Sequence, residues 1–152
     1  MPQSEFITGV VVAVAVDADG PIQGALLLGS PGAGKSSIAM GLIEACPWRR
    51  SGLVADDGVQ VSVKNGKLVA TPPAAIAGLL EVRGFGPTLL RSVPSVTLLA
   101  GFNLDLEPRR LPDPDVMCIL QQNLTIWPLV PGLGAAQRVR VILRAILAGQ
   151  TP

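Results

Sequence analysis

The stretch Gly29-Ser30-Pro31-Gly32-Ala33-Gly34-Lys35-Ser36 fits G-x-x-x-x-G-K-[ST], and no other part of the chain leaves fewer structural options. Before it, the apolar run Ala25 to Leu28 reads as a buried strand. After it, Ile38, Ala39, Leu42, Ile43 and Cys46 fall on one face at helical spacing, so the loop joins a strand to a helix start. A polyphosphate needs that geometry. Glycines let the backbone bend around the anion and turn N–H groups inward, the helix N-terminus adds its positive end, and Lys35 supplies a mobile charge. Ser36 offers a hydroxyl suited to Mg2+, and Ser37 follows it in the first helical turn. The bland alternative, a glycine-rich turn with a chance Lys-Ser, explains neither the strand nor the helix. Such loops serve motors, switches, transporters and kinases alike, so the reaction has to be read from other residues.

At 152 residues the chain fits one domain, residues 1–152, with room for a real core. Hydrophobic residues make up 49% and charged residues 15%, which points to a surface covered in part by sister subunits. A net charge of +1 argues against nucleic acid as a partner. The longest apolar run, Gly9 to Val16, is too short to cross a bilayer and lacks the flanks of a signal peptide, so a cytoplasmic location is expected, without a membrane partner. Cys46 and Cys118 read as reduced core residues. The absence of histidine rules out a His general base or triad.

In order, an apolar strand from Phe6 to Val16 meets the turn signal Asp17 to Gly20 and should pair antiparallel with the strand ending at Leu28. Pro47 stops the first helix near Cys46, and Trp48, Arg49 and Arg50 form a polar crossing. Leu53 to Ala55 is a short strand. Val59, Val61 and Val63 alternate up to Asn65-Gly66, a two-residue hairpin signal, and Leu68 to Thr71 runs back. Leu79, Leu80 and Val82 are strand-like, with Glu81 and Arg83 on one side. Val96 to Leu106 is an apolar strand ending in acid. Residues 107–115 form a proline-rich surface loop, and Val116 to Leu120 and Leu124 to Trp127 are two more strands. A last helix, Ala135 to Leu147, should turn Val139, Ile142, Leu143 and Ile146 inward and Arg140 and Arg144 outward. The fold class is α/β: a P-loop domain with a mixed, hairpin-containing sheet.

Phosphoryl transfer requires a metal, carboxylates to hold it and a group that handles the acceptor proton. The candidate acids are Asp56, Asp57 and Glu81. Neighbours on a strand point to opposite faces, so Asp56 and Asp57 can share a site only if they lie just past the strand end. The competing reading makes Asp57-Gly58 a plain hairpin turn, and Glu81 with Arg83 a solvated edge strand.

Together, "GSPGAGKSS", "LVADDGV" and "TPPAAIAGLLEVRGFG" resemble the catalytic domain of HPr kinase/phosphorylase, in order and spacing, over roughly Thr8 to Ser95. "LEVRGFG" is the most specific block. The resemblance implies a fold similar to the phosphoenolpyruvate carboxykinase type, assembled as a homo-hexamer, and a protein serine kinase that uses ATP and Mg2+ on a small HPr-type phosphocarrier. It assigns phosphate and Mg2+ binding to Lys35 and Ser36, the general base to Asp56, the neighbourhood of the metal to Asp57 and Glu81, and stabilisation of transferring charge to Arg83. The chain resembles the short forms that consist of the kinase core alone. Thr8 stands where many members carry His, and Leu133 where a late P-G-R-N loop of long members carries Arg, which implies a weak phosphorolysis direction. Two other readings stay open: a small-metabolite P-loop kinase, and a nucleotide-binding regulatory module without catalysis.

Overall fold

The computed structural model describes residues 3–73, 78–107 and 113–150. Its centre is β2 (Val10–Ala15), whose six residues are all buried. A run of Val and Ala with no polar position cannot face water on either side, and β2 accordingly lies between β3 (Ile22–Leu28) and β4 (Gly52–Ala55), antiparallel to both. From Gly24 to Leu28, β3 pairs in parallel with β9 (Val96–Asn103) along its far edge. The other edge of β9 is divided. Its first residues pair antiparallel with β6 (Lys67–Thr71), and its last three pair in parallel with β11 (Gln122–Pro128), which carries β10 (Asp115–Ile119) as a hairpin partner. The path then runs from β6 to β5 (Val59–Lys64) and to the edge strand β1 (Ser4–Ile7), giving nine strands in one mixed sheet among the described residues. β7 (Leu79–Val82) and β8 (Gly86–Leu89) form a separate hairpin.

Two apolar layers sandwich this sheet. On one face Val10, Val12, Val14 and Leu27 meet Ile38, Leu42 and Ile43 of α1 (Lys35–Glu44) and Val139 and Leu143 of α2 (Ala135–Leu147). On the other, Val11, Ala13, Leu26 and Val54 meet Val59, Val61, Ile119, Leu124 and Ile126, so the sheet curls over itself. Gly24 makes the β3–β9 contact possible: a Cβ there would lie 2.7 Å from the Thr97 carbonyl oxygen. Asn65 and Gly66, with φ of 52° and 73°, form the two-residue turn that their sequence announces.

Three expectations are corrected. The first strand breaks at Thr8-Gly9 into β1 and β2, because β1 pairs with β5 while β2 pairs with β3. Cys118 is exposed, on the outward side of the β10 hairpin, whereas Cys46 is buried. Arg140 is buried, not outward: its stem lies along the flank of the apolar stripe, and its guanidinium donates to the Ala15 carbonyl at 3.1 Å and the Leu42 carbonyl at 2.5 Å. Arg144 reaches the Val16 carbonyl at 3.0 Å. The Arg pair after Pro47 does lie in a loop, where Arg50 ties down the Asp17 and Gly20 carbonyls. The proline-rich loop falls largely on residues 108–112, outside the described residues. No described helix is long and apolar enough to cross a membrane.

Candidate active site

The carboxyl ends of β3, β4, β9 and β11 lie along one border of the sheet. Leu28 pairs with Asn103 and Pro128 pairs with Asn103, while Val11 pairs with both Leu26 and Ala55. Every chain segment leaving those strands enters the same region, where α/β sheets place ligands. The P-loop leaves β3. It bends through Gly32 and Gly34, whose φ values of 82° and 114° are left-handed and suit glycine, and Gly34 delivers the chain into α1. No acidic side chain occupies the first turn of α1, so its N-terminal N–H groups keep their positive end for an anion. Ser36 and Ser37 belong to that turn. The Lys35 ammonium folds back onto the Gly29 and Ser30 carbonyls at 2.6 and 3.1 Å. Glycine-bent backbone, free helix start and mobile lysine together fit a polyphosphate chain.

Two strands away, across β2, β4 stops at Ala55, and Asp56 and Asp57 follow immediately, so both acids escape the alternation that would have separated them. Asp57 holds φ at 75°, a strained value for a non-glycine residue at a sharp turn. Behind the turn lies Phe6, whose ring would sit 2.3 Å from any Cβ on Gly58. Asp56 is half-buried. Burial pushes its carboxyl above the usual aspartate range; a hydrogen bond from the Glu81 backbone N–H opposes this, and the charges of Asp57 and Glu81 add to it.

The hairpin β7–β8 connects these acids to the loop. Glu81 meets Asp56 through its backbone. Two residues on, the Arg83 guanidinium comes within 4.0 Å of where a Cβ on Gly32 would stand. A cavity of about 510 Å³ opens between the hairpin and the end of β4, with Asp56, Asp57 and Glu81 in its wall and Leu53, Pro72, Leu80 and Pro87 as apolar lining. The three acids thus share one cavity wall, and Arg83 reaches from the same hairpin towards the phosphate loop. Ser36 lies at the start of α1 and does not line this cavity. Among the described residues no three acidic, His or Cys side chains form a metal cage; in nucleotide sites one or two protein groups suffice, because phosphates and water supply the other ligands.

Two residues of this border escaped the sequence reading. Asp105, just beyond β9, accepts hydrogen bonds from the Ser30 backbone N–H at 2.7 Å and hydroxyl at 2.8 Å. An acid closing a long apolar strand was its only signal. Arg138 donates to the Leu133 and Val130 carbonyls and so fixes the loop after β11, whose Pro131 would lie 3.5 Å from a Cβ on Gly34. Leu133 at its tip is fully exposed.

Fold and loop define a P-loop protein with a curled mixed sheet, of the phosphoenolpyruvate carboxykinase-like type. The family model for the HPr serine kinase C-terminal domain matches residues 3–93. The chain belongs to that family. It is 42% identical over 73 residues to an HPr kinase/phosphorylase of Clostridium tetani, covering 48% of this chain and 22% of that protein. To the HPr kinase/phosphorylase of Brevibacillus brevis it is 30% identical over 135 residues, 78% of this chain and 42% of the relative. The chain therefore spans less than half the length of these relatives. The structure of the Hpr(Ser) kinase/phosphatase from Coxiella burnetii is similar in fold, with a TM-score of 0.78 at 18% identity, over 95% of this chain and 92% of that one.

Proposed function

We propose that this chain is an ATP-dependent protein serine kinase domain of the cytoplasm, acting on a small HPr-type phosphocarrier protein and working as a homo-oligomer. The observation that carries the reading is the hairpin β7–β8, which meets Asp56 through Glu81 of β7 and approaches the phosphate loop through Arg83 in its turn, only two residues later. Two residues of extended chain span about 7 Å, a distance suited to one phosphoryl group passing between donor and acceptor. Lys35, the loop N–H groups and the α1 N-terminus hold the donor phosphates. Arg83 lies where charge develops on the transferring group. Asp56 takes the proton of the acceptor serine, and its raised affinity for protons makes it a better base than an exposed aspartate. Mg2+, when bound by Ser36, Asp57 and Glu81, would neutralise phosphate charge. Family membership supports the carrier as acceptor, and the cavity beside Asp56 supports a protein segment entering from the side away from the loop.

Incubating the chain with γ-labelled ATP and purified HPr-type carriers tests this. Label on carrier serine is the expected result. Label on a small metabolite, or nucleotide binding with no transfer, overturns it in favour of a metabolite kinase or a regulatory module. With Leu133 in the late loop, phosphate-dependent dephosphorylation of the carrier should be slow beside the forward reaction.

A further inference from the structure

The strand β9 ends in a rigid device aimed at the phosphate loop. Parallel pairing with β3 continues one residue beyond the strand, through a hydrogen bond from Leu104 N–H to the Leu28 carbonyl at 2.9 Å. The Asn103 side chain then accepts the Asp105 backbone N–H at 2.9 Å, which closes a tight Asx turn. This fixes the Asp105 carboxylate opposite Ser30, two residues past Leu28. Both carboxylate oxygens accept the Ser30 hydroxyl, at 2.8 and 2.9 Å, and one also accepts the Ser30 backbone N–H at 2.7 Å. The Ser30 carbonyl is held from the other side by the Ala33 N–H at 3.0 Å and by Lys35 at 3.1 Å. Every polar group of Ser30 is engaged, although the neighbouring glycines make this one of the most freely bending stretches of the chain.

A carboxylate at this place is not explained by attraction. It repels the polyphosphate that the loop receives, and a site built on charge alone would carry no acid there. Charge-assisted hydrogen bonds to a glycine-rich segment do have a use: they remove backbone freedom that a ligand would otherwise have to remove on binding.

We propose that Asp105 is a positioning residue for the nucleotide: it clamps Ser30 and thereby holds the first limb of the phosphate loop in its binding shape. The inference rests on the nucleotide reading above. Positioning and repulsion make opposite predictions for one substitution. If Asp105 positions the loop, Asp105→Ala weakens Mg-ATP binding; if it only repels phosphate, the same change tightens it.

The test is calorimetric titration of the full chain with Mg-ATP, together with steady-state transfer kinetics. Asp105→Ala should raise the ATP dissociation constant and KM about tenfold and leave kcat at saturating ATP within about twofold. Asp105→Asn keeps one acceptor oxygen and should recover most of the lost affinity. Unchanged or tighter binding by Asp105→Ala overturns the clamp, as does a fall in kcat with KM unmoved. Absence of ATP binding by the unsubstituted chain overturns the nucleotide reading and the clamp with it, whereas normal binding there with an unaffected Asp105→Ala overturns the clamp alone. If Asp105→Ala does not fold, Ser30→Ala and Asp105→Asn are compared singly and combined. Less-than-additive losses support the pairing, and additive losses refute it.

Discussion

The backbone N–H of Glu81 donates to the carboxylate of Asp56, and this one bond joins the end of β4 to the hairpin that carries Arg83. An acid half-buried beside two other acids is costly to ionise, and the backbone N–H bonds from Glu81 and Asp57 offset only part of that cost. Asp56 is therefore a stability liability at neutral pH. Its folded-state pKa lies above the unfolded value, so the native chain binds the extra proton in the window between them, and stability falls as pH rises through that window. Asp56→Asn keeps an acceptor for the Glu81 N–H and removes the charge. Its melting temperature should exceed that of the unsubstituted chain at pH 7, and the gap should close as pH drops below the aspartate range. Transfer to the carrier should fall by about two or more orders of magnitude with Mg-ATP affinity near normal, since a general base contributes that much. A destabilised Asp56→Asn contradicts the first half, and one that transfers normally contradicts the second.

Asp57 is exposed and holds a left-handed turn, so its substitution should leave the melting temperature nearly unchanged. Asn adopts that backbone as readily as Asp. Its amide is a poorer ligand for a hard cation, and Asp57→Asn should shift the Mg2+ dependence of transfer to higher concentration. Single-turnover rates across a Mg2+ series separate the two acids: rescue of Asp57→Asn but not of Asp56→Asn is expected. Rescue in the opposite pattern reverses the roles, and a normal rate in both variants leaves Asp57-Gly58 as a turn only.

Lys35 spans the loop it serves, donating to the Gly29 and Ser30 carbonyls. On the proposed reading these bonds would be exchanged for phosphate contacts with nucleotide, and the lysine would contribute to binding rather than to folding. Lys35→Ala should weaken Mg-ATP affinity about tenfold or more, as expected for loss of one charge-assisted contact, and should lower transfer in parallel. The melting temperature without nucleotide should stay within about 2 °C, the scale of changes under 1 kcal/mol in a chain this size. Unchanged affinity in a titration removes the loop from the nucleotide reading.

How far the sequence was legible depends on whether a signal is local. The phosphate loop, the Asn65-Gly66 turn and the helix from Ala135 to Leu147 are written in consecutive residues, and all three stand where the pattern put them. The two acids after Ala55 were legible for the same reason. Strand partners were not. That β9 takes β3 on one edge and β11 on part of the other depends on Gly24 admitting β9 and Gly101 admitting Ile126, and glycine on a page does not say which strand approaches it. Asp105 was missed because its meaning lies 75 residues away, at Ser30. Cys118 was misplaced because a short hairpin strand with one solvated side reads like a buried one.

Arg140 shows how a helical wheel misleads, and its substitution is the sharpest test of the packing. Periodicity places it beside the apolar stripe, where an arginine is normally drawn outward. Here the last carbonyls of β2 and the carbonyl of Leu42 near the end of α1 lie within its reach, and with Arg140 only 7% exposed they have little water to bond instead. The guanidinium caps both elements at once, so α2 is tied to the helix that begins at the phosphate loop. Arg140→Met preserves the stem and leaves two buried carbonyls without that donor. It should cost about 2–4 kcal/mol, as for other broken buried polar contacts, and lower the melting temperature by roughly 5–12 °C. Arg144→Met, at a more exposed carbonyl, should cost about 1 kcal/mol or less. Urea midpoints at constant slope give both values. Equal and small effects would return Arg140 to the solvated face that periodicity alone assigns it; a large loss confined to Arg140 establishes it as the bolt between the two helices.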